Sequence, residues 1–184
     1  HLKVKHDLDF VVFNETGGIG NGFVLPAGIL RESLSALKYA DQIVVLGEND
    51  IPEEIQKYDK PVLKGFYRIK RFYDPDGKDV PLRILQNSRI TLLSGIGQPK
   101  SFENTIRKSG LSFEKHFRFS DHFDYNNEQI LNDLKMEMEN FDHLLTTEKD
   151  FAKLKFKDIS GMKIIVVEVG FELTEGSLEF ASAF

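Results

Sequence analysis

The chain has 184 residues, enough for one large domain or two small ones. Its formal charge of -5 provides no overall basic field to recruit nucleic acid, and the absence of cysteine excludes disulfides, thiolate metal sites and a cysteine nucleophile. No apolar run approaches the ~20 residues that a bilayer span needs.

Asp9-Phe10-Val11-Val12-Phe13 is a short apolar run of the kind that forms a buried parallel strand. A glycine loop follows, Gly17-Gly18-Ile19-Gly20-Asn21-Gly22. Loop amides can bind anions. The spacing here is G-x-G-x-G, however, not the G-x-G-x-x-G dinucleotide fingerprint, and Pro26 delays the next helix. A plain loop is the better reading. The spacing of Leu30, Leu34 and Leu37 predicts a helix from about Ile29 to Tyr39. Arg31 and Glu32 then fall in its first turn, where the helix dipole alone would favour Glu32. Functionally, the same pair offers a carboxylate for a metal–phosphate complex beside an arginine for phosphate. Gln42-Ile43-Val44-Val45-Leu46 is the next strand, completing a β-loop-α-β unit.

A short helix is expected over 51–60, ended by Pro61. The run from Val62 to Tyr73 is strand-like, Asp74-Pro75-Asp76-Gly77-Lys78 is a turn, and Val80 to Leu85 is the expected return strand. This predicts a hairpin linking two lobes. Its basic and aromatic residues (Lys64, Arg68, Lys70 and Arg71 with Phe66, Tyr67, Phe72 and Tyr73) read by default as a solvated surface. Contact with nucleic acid or an anionic membrane is the sharper alternative.

A second α/β pattern starts at Arg89, with a strand at Ile90–Leu93, a tight loop to Pro99, a helix over 101–109 closed by Gly110, and a strand over 112–119. Then comes Phe119-Ser120-Asp121-His122-Phe123-Asp124-Tyr125. An imidazole beside carboxylates can carry a proton, orient a phosphate or bind a metal. An ordinary polar loop before a helix is the plainer reading. A helix is expected from about Asn127 to Asn140, with Ile130, Leu131, Leu134 and Met138 inward. A strand at 143–147 and a helix at 148–154 follow, so Thr146-Thr147-Glu148-Lys149-Asp150 lies at a strand end, the edge where α/β proteins bind ligands. Lys163–Val169 is the last strong strand, and residues 171–184 have no assigned structure or role. No G-x-x-x-x-G-K-[ST] phosphate loop occurs in these residues.

Four stretches together resemble the tetraacyldisaccharide 4'-kinase family of Gram-negative bacteria. They are Gly20-Asn21-Gly22 with Leu25-Pro26-Ala27-Gly28-x-Leu30-Arg31-Glu32, Ser94-Gly95-Ile96-Gly97-x-Pro99-x-Ser101-Phe102, Phe119-x-Asp121-His122-x-x-Tyr125, and Thr146-Thr147-Glu148-Lys149-Asp150. The sequence departs from the family at Ser120, where proline is usual, and at Phe123, where a second histidine is common. The resemblance implies a P-loop-kinase-like α/β fold, with two lobes of parallel sheet joined by a β-hairpin linker. On that reading residues 1–60 belong to the N-terminal kinase lobe, 61–88 to the linker and 89–184 to the C-terminal lobe. His1 resembles the end of the family's Asp-Asp-Gly-x-Gln-His motif, which implies a partial enzyme without the P-loop half.

The implied reaction is ATP-dependent phosphorylation of the 4'-hydroxyl of the lipid A disaccharide 1-phosphate precursor. His122 and Asp121 would be catalytic. Arg31, Asn21, Thr147, Glu148 and Lys149 would bind phosphate or substrate, and Glu32 would hold Mg2+. The implied setting is a monomer, peripheral on the cytoplasmic face of the inner membrane, with no nucleic acid partner. Two other classes stay open: a Rossmann-type oxidoreductase using the 17–22 loop, and a non-catalytic binding module.

Overall fold

The computed structural model describes residues 6–14, 18–47, 51–121, 123–125, 134, 136–137, 139–154, 158–159 and 162–174. Two compact units divide the chain. One comprises residues 1–67 with 171–184, and the other residues 68–170.

In the first unit, β1 (Phe10–Asn14) pairs in parallel with β2 (Gln42–Leu46), which pairs in parallel with the start of β3 (Val62–Tyr73). The β2 side chains Ile43 and Val45 pack with Phe13, Leu37 and Ile55, with Ile43 fully buried. The predicted helix over 29–39 is shorter than expected. Only Leu34–Tyr39 is helical, as a single 3-10 segment. The cause lies upstream, where the Leu25 amide donates to the Leu30 carbonyl and the Leu30 amide to the Phe23 carbonyl. The backbone of 23–30 is closed on itself and cannot join a helix ladder. The 51–60 helix also shrinks, to α1 (Glu53–Gln56).

The expected return strand at Val80–Leu85 is corrected. Only the Val80 amide bonds back, to the Phe72 carbonyl, next to a Tyr73–Asp79 bridge, and the short helix α2 (Leu82–Leu85) follows. Pro81 explains the change: it has no amide to give a ladder and its fixed φ suits a helix start. The turn itself forms as expected, with the Asp74 carboxylate accepting from the amides of Asp76 and Lys78, and Gly77 at φ 82°. The strand beside β3 is instead β8 (Met162–Leu173). Lys64 meets Thr174, and Arg71 meets Glu168, so the two strands run in opposite directions. Within residues 61–88 the local hairpin is thus short, confined to 72–74 against 78–80, and the long partner of β3 is β8.

In the second unit the parallel strands run in the order β8, β6 (His143–Thr147), β4 (Ile90–Ser94), β5 (Lys115–Arg118). A two-residue β7 (Asp158–Ile159) turns back antiparallel onto β8. β4 is buried along its whole length, as a central parallel strand with both faces covered must be. α3 (Pro99–Lys108) starts with proline at its first turn, carries Arg107 and Lys108 in its last, and is followed by Gly110 at φ 83°. It turns Phe102, Glu103 and Ile106 inward. Two clusters fill the unit, one around Leu92, Leu145 and Ile165, the other around Leu93, Leu144, Ile164 and Leu134. Leu134, Met136 and Glu137 are helical and Leu134 is buried, as expected. Ile130, Leu131 and Met138 lie outside the described residues.

The basic-aromatic stretch of β3 is largely spent on its neighbours. Arg71 pairs with Glu168 at 2.6 Å and Asp79 at 3.0 Å and lies over the Tyr73 ring, Tyr67 meets Phe171 edge to face, and Phe72 is core. Arg71, Tyr67, Phe72 and Tyr73 are thus engaged within the protein.

Candidate active site

Three parallel strands of the second unit end side by side. Register pairs Ser94 with Arg118 and Leu93 with Thr146, so the loop after β4, the loop after β5 and the start of α4 (Glu148–Phe151) leave from one edge. This carboxyl edge is where open α/β sheets keep their ligand chemistry.

Residues 119–125 are anchored to that edge. The Phe119 amide donates to the Ser94 carbonyl at 2.8 Å, and the Phe123 amide to the Ser120 carbonyl at 3.1 Å. The rings of Phe119, Phe123 and Tyr125 pack together, Phe119 stacked on Phe123 at 4.3 Å. Asp121 is exposed, and its carboxylate takes a 2.5 Å hydrogen bond from the Lys149 ammonium. His122 lies outside the described residues.

At the head of α4, Thr147 caps the helix. Its hydroxyl oxygen accepts from the Asp150 amide at 3.1 Å, and its O–H donates to the Asp150 carboxylate at 2.7 Å. Asp150 is fully buried. Its second carboxylate oxygen accepts from the Tyr125 hydroxyl at 3.0 Å. Burial, with the nearby Asp150 charge, holds the Tyr125 phenol well above the ordinary tyrosine range. Glu148 accepts a long 3.4 Å bond from the Tyr73 hydroxyl. The structure thus brings Asp121, Thr147, Glu148 and Lys149 to one edge, as two of the sequence stretches imply.

Asn21, Arg31 and Glu32 belong to the other unit. Asn21 closes its own loop, donating to the Ala27 carbonyl at 2.9 Å and accepting from the Phe23 amide at 3.2 Å. Gly28 is required there, because a Cβ would collide with the Phe23 carbonyl and the Asn21 side chain. Arg31 and Glu32 follow this loop, both exposed, in a bend and not in the first turn of a helix. Dipole capping is therefore not the reason for Glu32.

Beneath the edge lies a buried polar network that the sequence did not suggest. His116 hydrogen-bonds Ser94 through Nε2 at 2.8 Å and Glu103 through Nδ1 at 2.6 Å. A neutral ring satisfies both, with Nδ1–H donating to the carboxylate and Nε2 accepting from the serine hydroxyl. Arg118 also donates to Glu103, its Nε at 2.9 Å. Burial pushes the His116 imidazole below its ordinary value, against the pull of Glu103. Burial alone would raise Glu103, but the bonds from His116 and Arg118 outweigh it and hold the carboxyl low. The one signal in the sequence was a charged residue, Glu103, at an inward helical position beside Phe102 and Ile106. A buried charge needs partners.

These shifts have a stability consequence. His116 and His143, the latter lowered by burial and by Lys163, are harder to protonate when folded than when unfolded. Below about pH 6.5 the unfolded chain takes up protons that these rings refuse. Depressed Glu103 acts in the same direction at lower pH, because its stabilisation is lost as pH falls through its folded value. Raised Tyr125 acts at the other end, where above about pH 10 only the unfolded phenol ionises. The urea midpoint should be flat near neutrality, fall below about pH 6.5 and fall again above about pH 10. A midpoint unchanged between pH 7.5 and 5 would contradict this burial of the two rings.

The family model for tetraacyldisaccharide-1-P 4'-kinase matches residues 1–182. This chain belongs to that family. A tetraacyldisaccharide 4'-kinase of Elusimicrobium minutum is 31% identical over 98% of the chain and 50% of its own length. One from Bradyrhizobium diazoefficiens is 36% identical over 83% of the chain and 44% of its own length. The chain thus spans about half the length of the curated relatives it matches. Among solved structures, LpxK from Aquifex aeolicus, crystallised in complex with ATP, shares the fold with a TM-score of 0.62 at 24% identity. That match covers 96% of this chain and 51% of that one. The oxidoreductase and binding-module readings give way to the kinase family. Among the described residues, no helix is long and apolar enough to cross a membrane.

Proposed function

We propose that this chain serves ATP-dependent transfer of a phosphoryl group to the 4'-hydroxyl of tetraacyldisaccharide 1-phosphate. Beyond family membership, one observation supports this most. Two stretches that carry the resemblance, 119–125 and 146–150, are joined by the Lys149–Asp121 ion pair and the Tyr125–Asp150 bond.

In this reading His122 is the general base that takes the proton from the sugar hydroxyl, and Asp121 orients it. A sugar hydroxyl is a weak nucleophile, so a base with a pKa near neutrality helps. Phosphoryl transfer otherwise needs positioning and charge neutralisation. Arg31 and Lys149 supply cations for phosphate oxygens, and Thr147 and Glu148 shape the loop edge beside Lys149. Asn21 acts at one remove, by holding the loop that leads to Arg31.

Among the described residues no group of three potential metal ligands is assembled. That fits a magnesium–nucleotide, because Mg2+ takes only one or two protein carboxylates together with phosphates and water. Exposed Glu32 is the carboxylate assigned to it. Bound Mg2+ would neutralise charge on the transferring phosphates. The acceptor is an acylated lipid, so the working place is taken to be the cytoplasmic surface of the inner membrane, with the protein peripheral and monomeric.

The 184 residues contain no phosphate loop. By themselves they should show no turnover of ATP with tetraacyldisaccharide 1-phosphate. Joined to an upstream segment that carries G-x-x-x-x-G-K-[ST], as in an enzyme of the relatives' full length, they should give labelled 4'-phosphate product from [γ-32P]ATP. Turnover by the isolated chain, or none in the longer form, would refute this assignment of parts.

A further inference from the structure

We propose that Tyr125 and Asp150 are positioning residues, whose buried hydrogen bond locks the loop between Phe119 and Tyr125 onto the head of α4 and so sets Asp121 at the reacting edge. This rests on the kinase reading above.

The loop is tied at both ends. At its start the Phe119 amide is bound to the Ser94 carbonyl. At its finish Tyr125 is 2% exposed and its hydroxyl meets a carboxylate with no exposure at all. The candidate residues lie between these ties. Lys149–Asp121 is a third tie, but both side chains are more than two-fifths exposed, and exposed pairs hold geometry weakly. The buried tie is of another kind. Asp150 is met by Thr147 on one carboxylate oxygen and by Tyr125 on the other. Without the tyrosine O–H, an oxygen of a buried carboxylate loses its donor, which low dielectric makes costly.

Gly95 provides the space. A Cβ there would stand 2.8 Å from the Tyr125 hydroxyl, and 3.2 Å from both the Asp150 carboxylate and the Ser120 carbonyl. Three segments distant in sequence therefore converge on one bond: the loop after β4, the loop after β5 and the start of α4. Neither Tyr125 nor Asp150 has to touch substrate to do this. A general base works only within hydrogen-bond reach of its proton, and small misplacements are expensive.

Tyr125→Phe removes one hydrogen bond and keeps the ring. In this chain, amide hydrogen exchange at Phe119 and Phe123 should quicken at least roughly tenfold, while β4 and β6 amides stay protected. In the full-length kinase, kcat should fall roughly 10–100-fold with KM for ATP unchanged. Asp150→Asn, which keeps an acceptor for Tyr125, should lose less than Asp150→Ala. Unchanged exchange overturns the lock. Faster exchange with kcat within twofold of wild type overturns the positioning role. Failure of the base assignment is seen separately, as an unaffected kcat in His122→Ala, and leaves the exchange result standing.

Discussion

His122→Ala should lower kcat by ~10²–10⁴ in the full-length kinase, with Mg2+-ATP binding little changed. The range is that for removing general acid–base assistance from a step whose remaining catalysis is electrostatic. Asp121→Asn should do less, because in the mechanism proposed above Asp121 orients the base and does not itself take the proton. Its carboxylate accepts from Lys149, so Lys149→Ala removes that ion pair and should reduce kcat modestly. Single-turnover kinetics with saturating ATP separates these effects from binding. A kcat within a few-fold of wild type for His122→Ala would remove His122 from the reaction.

Glu103→Ala should cost about 1–3 kcal/mol of stability, the range for leaving a buried donor unsatisfied. His116 would lose its Nδ1 acceptor in a place where its side chain is only 3% exposed. Arg118 is half exposed and can turn to water, so its share of the loss is small. Glu103→Gln keeps an acceptor for His116 and should fall between wild type and alanine. Urea midpoints should follow that order, and the acid limb of the pH profile should change in both variants. An alanine variant within about 0.5 kcal/mol of wild type would show that the network contributes nothing net.

The central parallel strands were legible because burial on both faces writes itself as an uninterrupted apolar run, as in Leu144–Leu145 and Ile164–Val167, whereas β1 reads the same way yet leaves Phe10 and Val12 half exposed. Helix boundaries were less so. Leucine spacing pointed to a helix from Ile29, but backbone bonds within 23–30 take those residues, and Ile29 points outward. The partner of β3 was missed because β8 lies some ninety residues further on, and no local pattern reports such a pairing. The candidate site divides the same way. Asp121, Thr147, Glu148 and Lys149 stood in recognisable stretches. The role of Asp150 did not, because an aspartate in a first helical turn looks like ordinary dipole compensation until Tyr125 is placed against it. The Ser94–His116–Glu103 network joins a strand end, a helix and a neighbouring strand, and only tertiary packing assembles it.

β3 and β8 carry one further implication. The second unit begins at Arg68 and ends at Gly170, on strands that are neighbours. Arg71 and Glu168, a few residues inside those ends, are bonded to each other. Residues 68–170 thus begin and end side by side. Close termini are what make a unit tolerant of circular permutation. The unit bearing Asp121 and α4 therefore has the adjacent ends that joining its termini and reopening an exposed loop would require.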